Sequence, residues 1–273
     1  MSDGAEVNGT KFHYEISGEG HSLILVHAGI ADGRMWNDQF HVFEQHYQVL
    51  RYDRRGFGNT SMAAGNFSHH ADLYELLKFL KIEQAFLVGC SQGAKTVLDF
   101  SLEHPEMTAA LVLVSPALGG FIYSGELPRQ ANLLELAEEA GDLDQVNELE
   151  LQIWVDGPRR APKQVDANVR ELVGEMNAIA LRTPEGLGDE QALEPAAVNR
   201  LAEVHAPTLI IIGNLDTPKT IATADFLTEN IIGARHVTIT GTAHLPNMEK
   251  PAEFNRHILS FLGNLGKLSN HDD

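Results

Sequence analysis

Four short runs of nearly unbroken apolar side chains punctuate this chain: Ser22–Val26 (SLILV), Ala85–Val88 (AFLV), Leu111–Val114 (LVLV) and Thr208–Ile212 (TLIII). A strand with one wet face alternates apolar and polar residues, whereas an unbroken run of this length predicts burial on both faces. Between the runs lie stretches of helical spacing. Asp72–Lys81 repeats leucine at 73, 76, 77 and 80, and Gly93–Glu103, Ile221–Asn230 and Ala252–Leu262 read the same way. Lys11–Ile16, Tyr47–Tyr52 and His236–Ile239 add further strand candidates. Strands buried on both faces and alternating with helices predict an α/β fold: a mostly parallel central sheet of about seven or eight strands flanked by helices.

The strand signal stops between about Gly119 and Glu203. Asn132–Ala140, Asp144–Val155 and Val169–Leu181 are helix candidates there, interrupted at Gly141, Gly157-Pro158, Pro184 and Pro195. The expected organisation is a core of residues 1–118 and 204–273 with a helical insertion, 119–203, lying over the carboxyl ends of the strands, where such sheets bind ligands. Within it, Glu126 to Asp156 holds nine acids against one basic residue, Arg129, and reads as a solvated face.

The formal charge of −18, from 38 acidic and 20 basic side chains, argues against nucleic acid and anionic membrane surfaces and disfavours a highly acidic substrate. No apolar stretch approaches a membrane span, and MSDGAEVNGTKFHYE lacks the basic start and apolar run of a signal peptide, so a cytoplasmic location is the default expectation. The single cysteine, Cys90, precludes an internal disulfide.

The chemistry concentrates in Ala85–Ala94, AFLVGCSQGA: an apolar strand, then Gly89-x-Ser91-x-Gly93, then a helix. Serine is a poor nucleophile unless it is exposed and paired with a base. A sharp strand-to-helix turn exposes it but crowds the backbone, and small residues two positions either side relieve the crowding. The helix that follows aims backbone N–H groups at the site, making the N–H of Gln92 a natural oxyanion donor.

Of thirteen histidines, His244 alone combines a loop position after a strand with suitable company, Gly241-Thr-Ala-His244-Leu-Pro246. His13, His41, His46, His104 and His257 fall in strand or helix patterns, and His271 lies in a ragged tail. The pair His69-His70 invites a metal reading, but no further ligands recur at metal spacing, so no metal is expected. Asp216, in Gly213-Asn-Leu-Asp216, follows another strand. The chain order Ser91, Asp216, His244 resembles that of the nucleophile, orienting acid and base of the α/β-hydrolase triad.

With these residues in place, the chain resembles the α/β-hydrolase family nearly end to end. Leu25-Val-His27-Ala-Gly29 is similar to the family's His-Gly turn, which assigns the second oxyanion N–H to Gly29. Tyr52-Asp53-Arg-Arg-Gly56-Phe-Gly58 resembles a structural turn of the family, and Gly241–Pro251 its histidine loop. Ala28 departs from the family's glycine, and Cys90 and Gln92 fill variable positions. Cys90 reads as a buried small side chain and His27 as structural. The resemblance implies a cofactor-free hydrolase acting on small-molecule esters or lactones through Ser91, His244 and Asp216. Carbon–carbon bond hydrolases, cyanohydrin lyases, perhydrolases and non-catalytic small-molecule receptors are the alternatives it leaves. Phe121 and Ile122, near the expected mouth, and Trp154 and Met176, in the helical insertion, are candidates to line the substrate pocket. At helical spacing, Trp154 and Met176 could equally pack the insertion's helices together.

Overall fold

The structure, a computed structural model, describes residues 2–184 and 186–268; His271 lies outside them. The chain begins with strands β1 (Ser2–Val7), β2 (Thr10–Ser17) and β3 (Ser22–Val26), then helix α1 (Asn37–Phe43), β4 (Gln48–Tyr52), the short β5 (Gly65–Phe67) and α2 (His69–Phe79). Next come β6 (Ala85–Cys90), α3 (Gln92–Glu103) and β7 (Thr108–Val114). The connection that follows carries α4 (Ala131–Ala140), α5 (Leu143–Glu150), α6 (Ala167–Ala180) and the short β8 (Gly188–Glu190). The chain closes with β9 (Thr208–Gly213), α7 (Pro218–Asn230), β10 (Arg235–Ile239), α8 (Pro246–Glu249) and α9 (Pro251–Leu268).

Eight strands form one sheet in the order β1-β2-β4-β3-β6-β7-β9-β10, antiparallel at β1-β2-β4 and parallel from there on. Alternation along each inner strand feeds two separate cores. Ile24, Leu111, Leu113, Ile210 and Ile212 face one side, against Leu73 and Leu76 of α2, Val97 and Phe100 of α3 and Leu227 of α7. Leu23, Leu25, Val112, Leu209 and Ile211 face the other, against Phe40 and Phe43 of α1 and Phe254, Ile258 and Phe261 of α9. Each such side chain stabilises the fold by about 1.5–3 kcal/mol on burial, so the unbroken apolar runs are what hold a two-sided sheet together.

Register decides where chemistry can occur. Val26 pairs with Tyr52 and Gly89, Cys90 with Val114, and Ile239 with Gly213, so the carboxyl ends of six strands emerge along one edge. His27, Ser91, Asp216 and His244 all lie just beyond that edge.

Two local expectations need correction. The connection 119–203 is not free of strand, because β8 lies there and pairs in parallel with β5. Sequences as short and polar as GNF and GDE carry no alternation to detect. Asp144–Val155 is helical throughout but not uniformly α: α5 ends at Glu150 and Leu151–Val155 continues it as a π-helical turn. Strand β1 and helix α1 carry too weak a pattern to have been anticipated. The acidic run does lie mostly on the surface, except Asp156, which is buried and paired with Arg170 at 3.0 Å.

Candidate active site

Ser91 stands at the junction of β6 and α3 with φ +54 and ψ −115, a left-handed conformation that costs energy for any residue with a side chain. The surrounding structure holds it there: its N–H donates to Val114 O at 2.9 Å, and its carbonyl accepts from Lys95 at 3.0 Å and Ala117 at 3.2 Å. The flanking glycines are required by close approach. A Cβ on Gly89 would fall on the Gly93 carbonyl, and one on Gly93 would fall on the Val26 carbonyl. That crowding is the physical content of the G-x-S-x-G spacing.

Asp216 and His244 meet because the loops after β9 and β10 are laced together. Gly213 lies against the Thr242–Ala243 backbone with no room for a side chain, and the Leu215 N–H donates to Thr242 O at 2.9 Å. Asp216 Oδ2 then lies 2.9 Å from His244 Nδ1, with both side chains almost wholly out of water. The Thr217 N–H donates to the other carboxylate oxygen at 2.6 Å, which fixes the carboxylate plane. An acceptor at Nδ1 places the imidazole proton there and leaves Nε2 free to act as a base.

Ser91 and His244 line the same cavity, of about 220 Å³. Its apolar wall is Leu118, Phe121 and Trp154, and Thr220, Thr223 and Lys219 lie on the α7 side. Gln92 also lines it. The Gln92 side chain lies over Gly29, where an added Cβ would come within 2.6 Å of it. Among the described residues, neither the Gly29 nor the Gln92 N–H donates to a protein acceptor.

Two of the pocket candidates fall within this cavity and two do not. Phe121 and Trp154 line it. Ile122 is 89% exposed, because the chain turns outward immediately after Phe121. Met176 is buried in the core cluster against which Trp154 also packs, where its sulfur accepts the Asp32 N–H at 3.4 Å, and it does not line the cavity. Cys90 is fully buried, and burial pushes its thiol well above the ordinary range. His69 is buried 3.8 Å from Glu190. Among the described residues, no three His, Cys, Asp or Glu side chains gather in a way that could hold a metal ion.

Sequence reasoning missed what steadies the histidine loop. Glu249 accepts the Ala243 N–H at 2.7 Å and receives Arg160 Nη1 at 2.6 Å on its other oxygen. Arg160 belongs to the β7–β9 connection, so this nearly buried pair ties that connection to the loop carrying His244. An arginine after Gly157-Pro158 and a glutamate five residues past a histidine carry no signal of such a pairing.

Residues 23–257 match the model of the Alpha/beta hydrolase family. Over 252 residues, the chain is 28% identical to the pimeloyl-[acyl-carrier protein] methyl ester esterase of Aeromonas hydrophila, covering 90% of this chain and 97% of that one. Over 229 residues, it is 26% identical to 3-oxoadipate enol-lactonase 2 of Acinetobacter baylyi, with 82% of each chain covered. Its fold is similar to that of the enol-lactonase from Burkholderia xenovorans, with TM-score 0.76, 23% identity and coverage of 95% of this chain and 99% of that one. No helix among the described residues is long and apolar enough to cross a membrane.

Proposed function

The chain belongs to the α/β-hydrolase family, and from that premise we propose that it hydrolyses carboxylic esters or lactones of small molecules through an acyl-enzyme on Ser91. The observation that carries this reading is that Ser91 and His244 face one cavity while Asp216 lies 2.9 Å from His244 Nδ1. In the proposed reaction, Ser91 Oγ attacks the carbonyl carbon as His244 Nε2 takes its proton. Asp216 holds the ring and stabilises the imidazolium that forms. The N–H groups of Gln92 and Gly29 receive the negative charge developing on the carbonyl oxygen. His244 then protonates the leaving alkoxide, and water activated by the same histidine releases the acid. Apart from the water consumed in deacylation, each step uses only side chains and backbone of this chain, without a cofactor.

The names of the two relatives given above, an esterase and an enol-lactonase, fit an acyl–oxygen bond as the one cleaved; a further relative, named as a 2-hydroxy-6-oxo-6-phenylhexa-2,4-dienoate hydrolase and 26% identical, keeps carbon–carbon bond hydrolysis as the alternative reading. A cavity of about 220 Å³ suits a short acyl group. On this reading, residues 119–203 act as a cap, and Trp154 is their contribution to the pocket wall. The test is a panel of short-chain esters and lactones with the wild type beside Ser91→Ala. The proposal expects turnover of at least one class and its loss in the variant. Turnover that survives in Ser91→Ala contradicts it.

A further inference from the structure

Two adjacent arginines in the turn after β4 are both buried, yet their surroundings differ. Arg55 is saturated: it donates to both carboxylate oxygens of Asp72 at 2.9 and 2.8 Å, to Thr10 Oγ1 at 2.8 Å and to Asn8 O at 3.0 Å. Arg54, 1% exposed, donates one side-chain hydrogen bond, from Nη2 to Gln92 Oε1 at 3.2 Å. Its Nε and Nη1 have no acceptor among the described residues, and no carboxylate lies within ion-pair distance of it. Around it are the Phe57 ring at 4.5 Å and the buried His27 and His69, both held neutral by burial and by the guanidinium itself. The nearby carboxylate of Glu190 is directed at Lys95 and His69, at 3.8 Å each. A buried guanidinium without a counter-ion is costly, and burial, only partly offset by the negative ends of its surroundings, pushes it down to about 10. Such a group is retained where an anion completes it.

The place of Arg54 indicates which anion. Its one side-chain partner, Gln92, is the residue after Ser91 and lines the cavity that Ser91 and His244 share. Arg54 itself does not line the cavity; the exposed Gln92 side chain, its partner, does. We propose that Gln92 swings aside to open Arg54 to that cavity and that Arg54 is the specificity residue of the site, binding a carboxylate carried by the substrate, so that the preferred substrates are esters or lactones bearing a free carboxylate. The planar guanidinium offers the fork of donors that a carboxylate accepts, and two of its three nitrogens are idle. The net charge of −18 does not oppose this. It weakens long-range encounter with anions, but is screened beyond about 8–10 Å at physiological salt, whereas Arg54 acts at contact.

The inference rests on the ester-hydrolase reading, and its test separates the two. The mono-p-nitrophenyl esters of succinic, glutaric and adipic acids are compared with p-nitrophenyl butyrate, valerate and hexanoate. The expected result is a kcat/KM at least about tenfold higher for one diacid monoester than for its uncharged counterpart. In Arg54→Met that ratio falls toward one; Arg54→Lys, which keeps the charge but not the fork, retains part of it. Thermal unfolding supplies a readout free of catalysis: glutarate or adipate raises the Tm of the wild type and not that of Arg54→Met. Arg54→Met itself keeps or raises the Tm, which removal of a structural arginine would not do. A wild type that shows no preference, a preference that survives in Arg54→Met, or its loss in Lys219→Gln instead overturns the assignment. If neither ester series is hydrolysed, the hydrolase reading fails and the dicarboxylate Tm shift alone decides the role of Arg54; no shift overturns it.

Discussion

Trp154 touches His244 twice: its carbonyl accepts the His244 backbone N–H at 3.2 Å, and its indole lies 4.6 Å from the imidazole, centroid to centroid. Trp154 belongs to the π-helical turn Leu151–Val155, a distortion that often marks a functional position in a helix. Trp154→Ala removes the indole that walls the histidine and admits water beside it. We expect kcat/KM for a short ester to fall roughly 10- to 100-fold, with Trp154→Phe recovering most of the loss. Steady-state kinetics on the three proteins checks this.

The Arg160–Glu249 pair is nearly buried and receives a backbone N–H from the histidine loop. Removing one partner of such a pair leaves the other charge without compensation, at a cost of about 3 kcal/mol. Arg160→Ala is therefore expected to lower both the urea midpoint and kcat, because Glu249 is what fixes the Ala243 N–H. Urea melts and kcat measured on the same preparation test the link.

The glycines around the site separate folding from chemistry. Gly93→Ala would drive a methyl group into the Val26 carbonyl, a backbone neighbour that cannot yield, and the variant should be destabilised by about 3 kcal/mol or fail to accumulate folded. Gly29→Ala meets the movable end of the Gln92 side chain at 2.6 Å. It should fold with nearly normal Tm and lose up to roughly 10²-fold in kcat as the Gly29 N–H, the proposed oxyanion donor, is displaced. Melting curves and kcat for both variants distinguish the two effects.

Acid should unfold the protein through His27. Its Nε2 accepts the Arg54 backbone N–H at 2.8 Å, so Nδ1 carries the proton and donates to Ala28 O at 2.7 Å. A second proton has nowhere to go, and complete burial holds the group well below its ordinary 6.5. The unfolded chain binds that proton first, so stability is intact above about pH 6.5 and is lost as pH falls toward the depressed folded value. His27→Gln should flatten this part of the profile, as read from urea midpoints between pH 7 and pH 5.

Much of this was legible in the sequence, for physical reasons. SLILV, LVLV and TLIII declare two-sided burial because no other environment tolerates them, and the parallel sheet follows from their alternation with helices. Ser91 was legible because its turn demands glycine at two fixed distances, and Gly89 and Gly93 meet backbone in the fold as that demand requires. Asp216 and His244 announced themselves by order and by the loops they occupy, yet their approach depends on Gly213 and Leu215, which carried no signal. Phe121 and Trp154 line the cavity, but whether Ile122 points inward depends on where the chain leaves β7, and Met176 on which face of α6 is inward. Arg160, Glu249 and Arg54 were illegible because their roles lie in partners far along the chain, or in the lack of one.

The central claim is that Ser91 is a nucleophile activated by His244. Labelling with a fluorophosphonate, followed by mapping of the modified peptide by mass spectrometry, tests it most directly. One phosphonylated residue, Ser91, is expected, with labelling slowed by roughly 10³-fold or more in His244→Ala and abolished in Ser91→Ala. A folded wild type that resists the probe, or a label on any other residue, would contradict it.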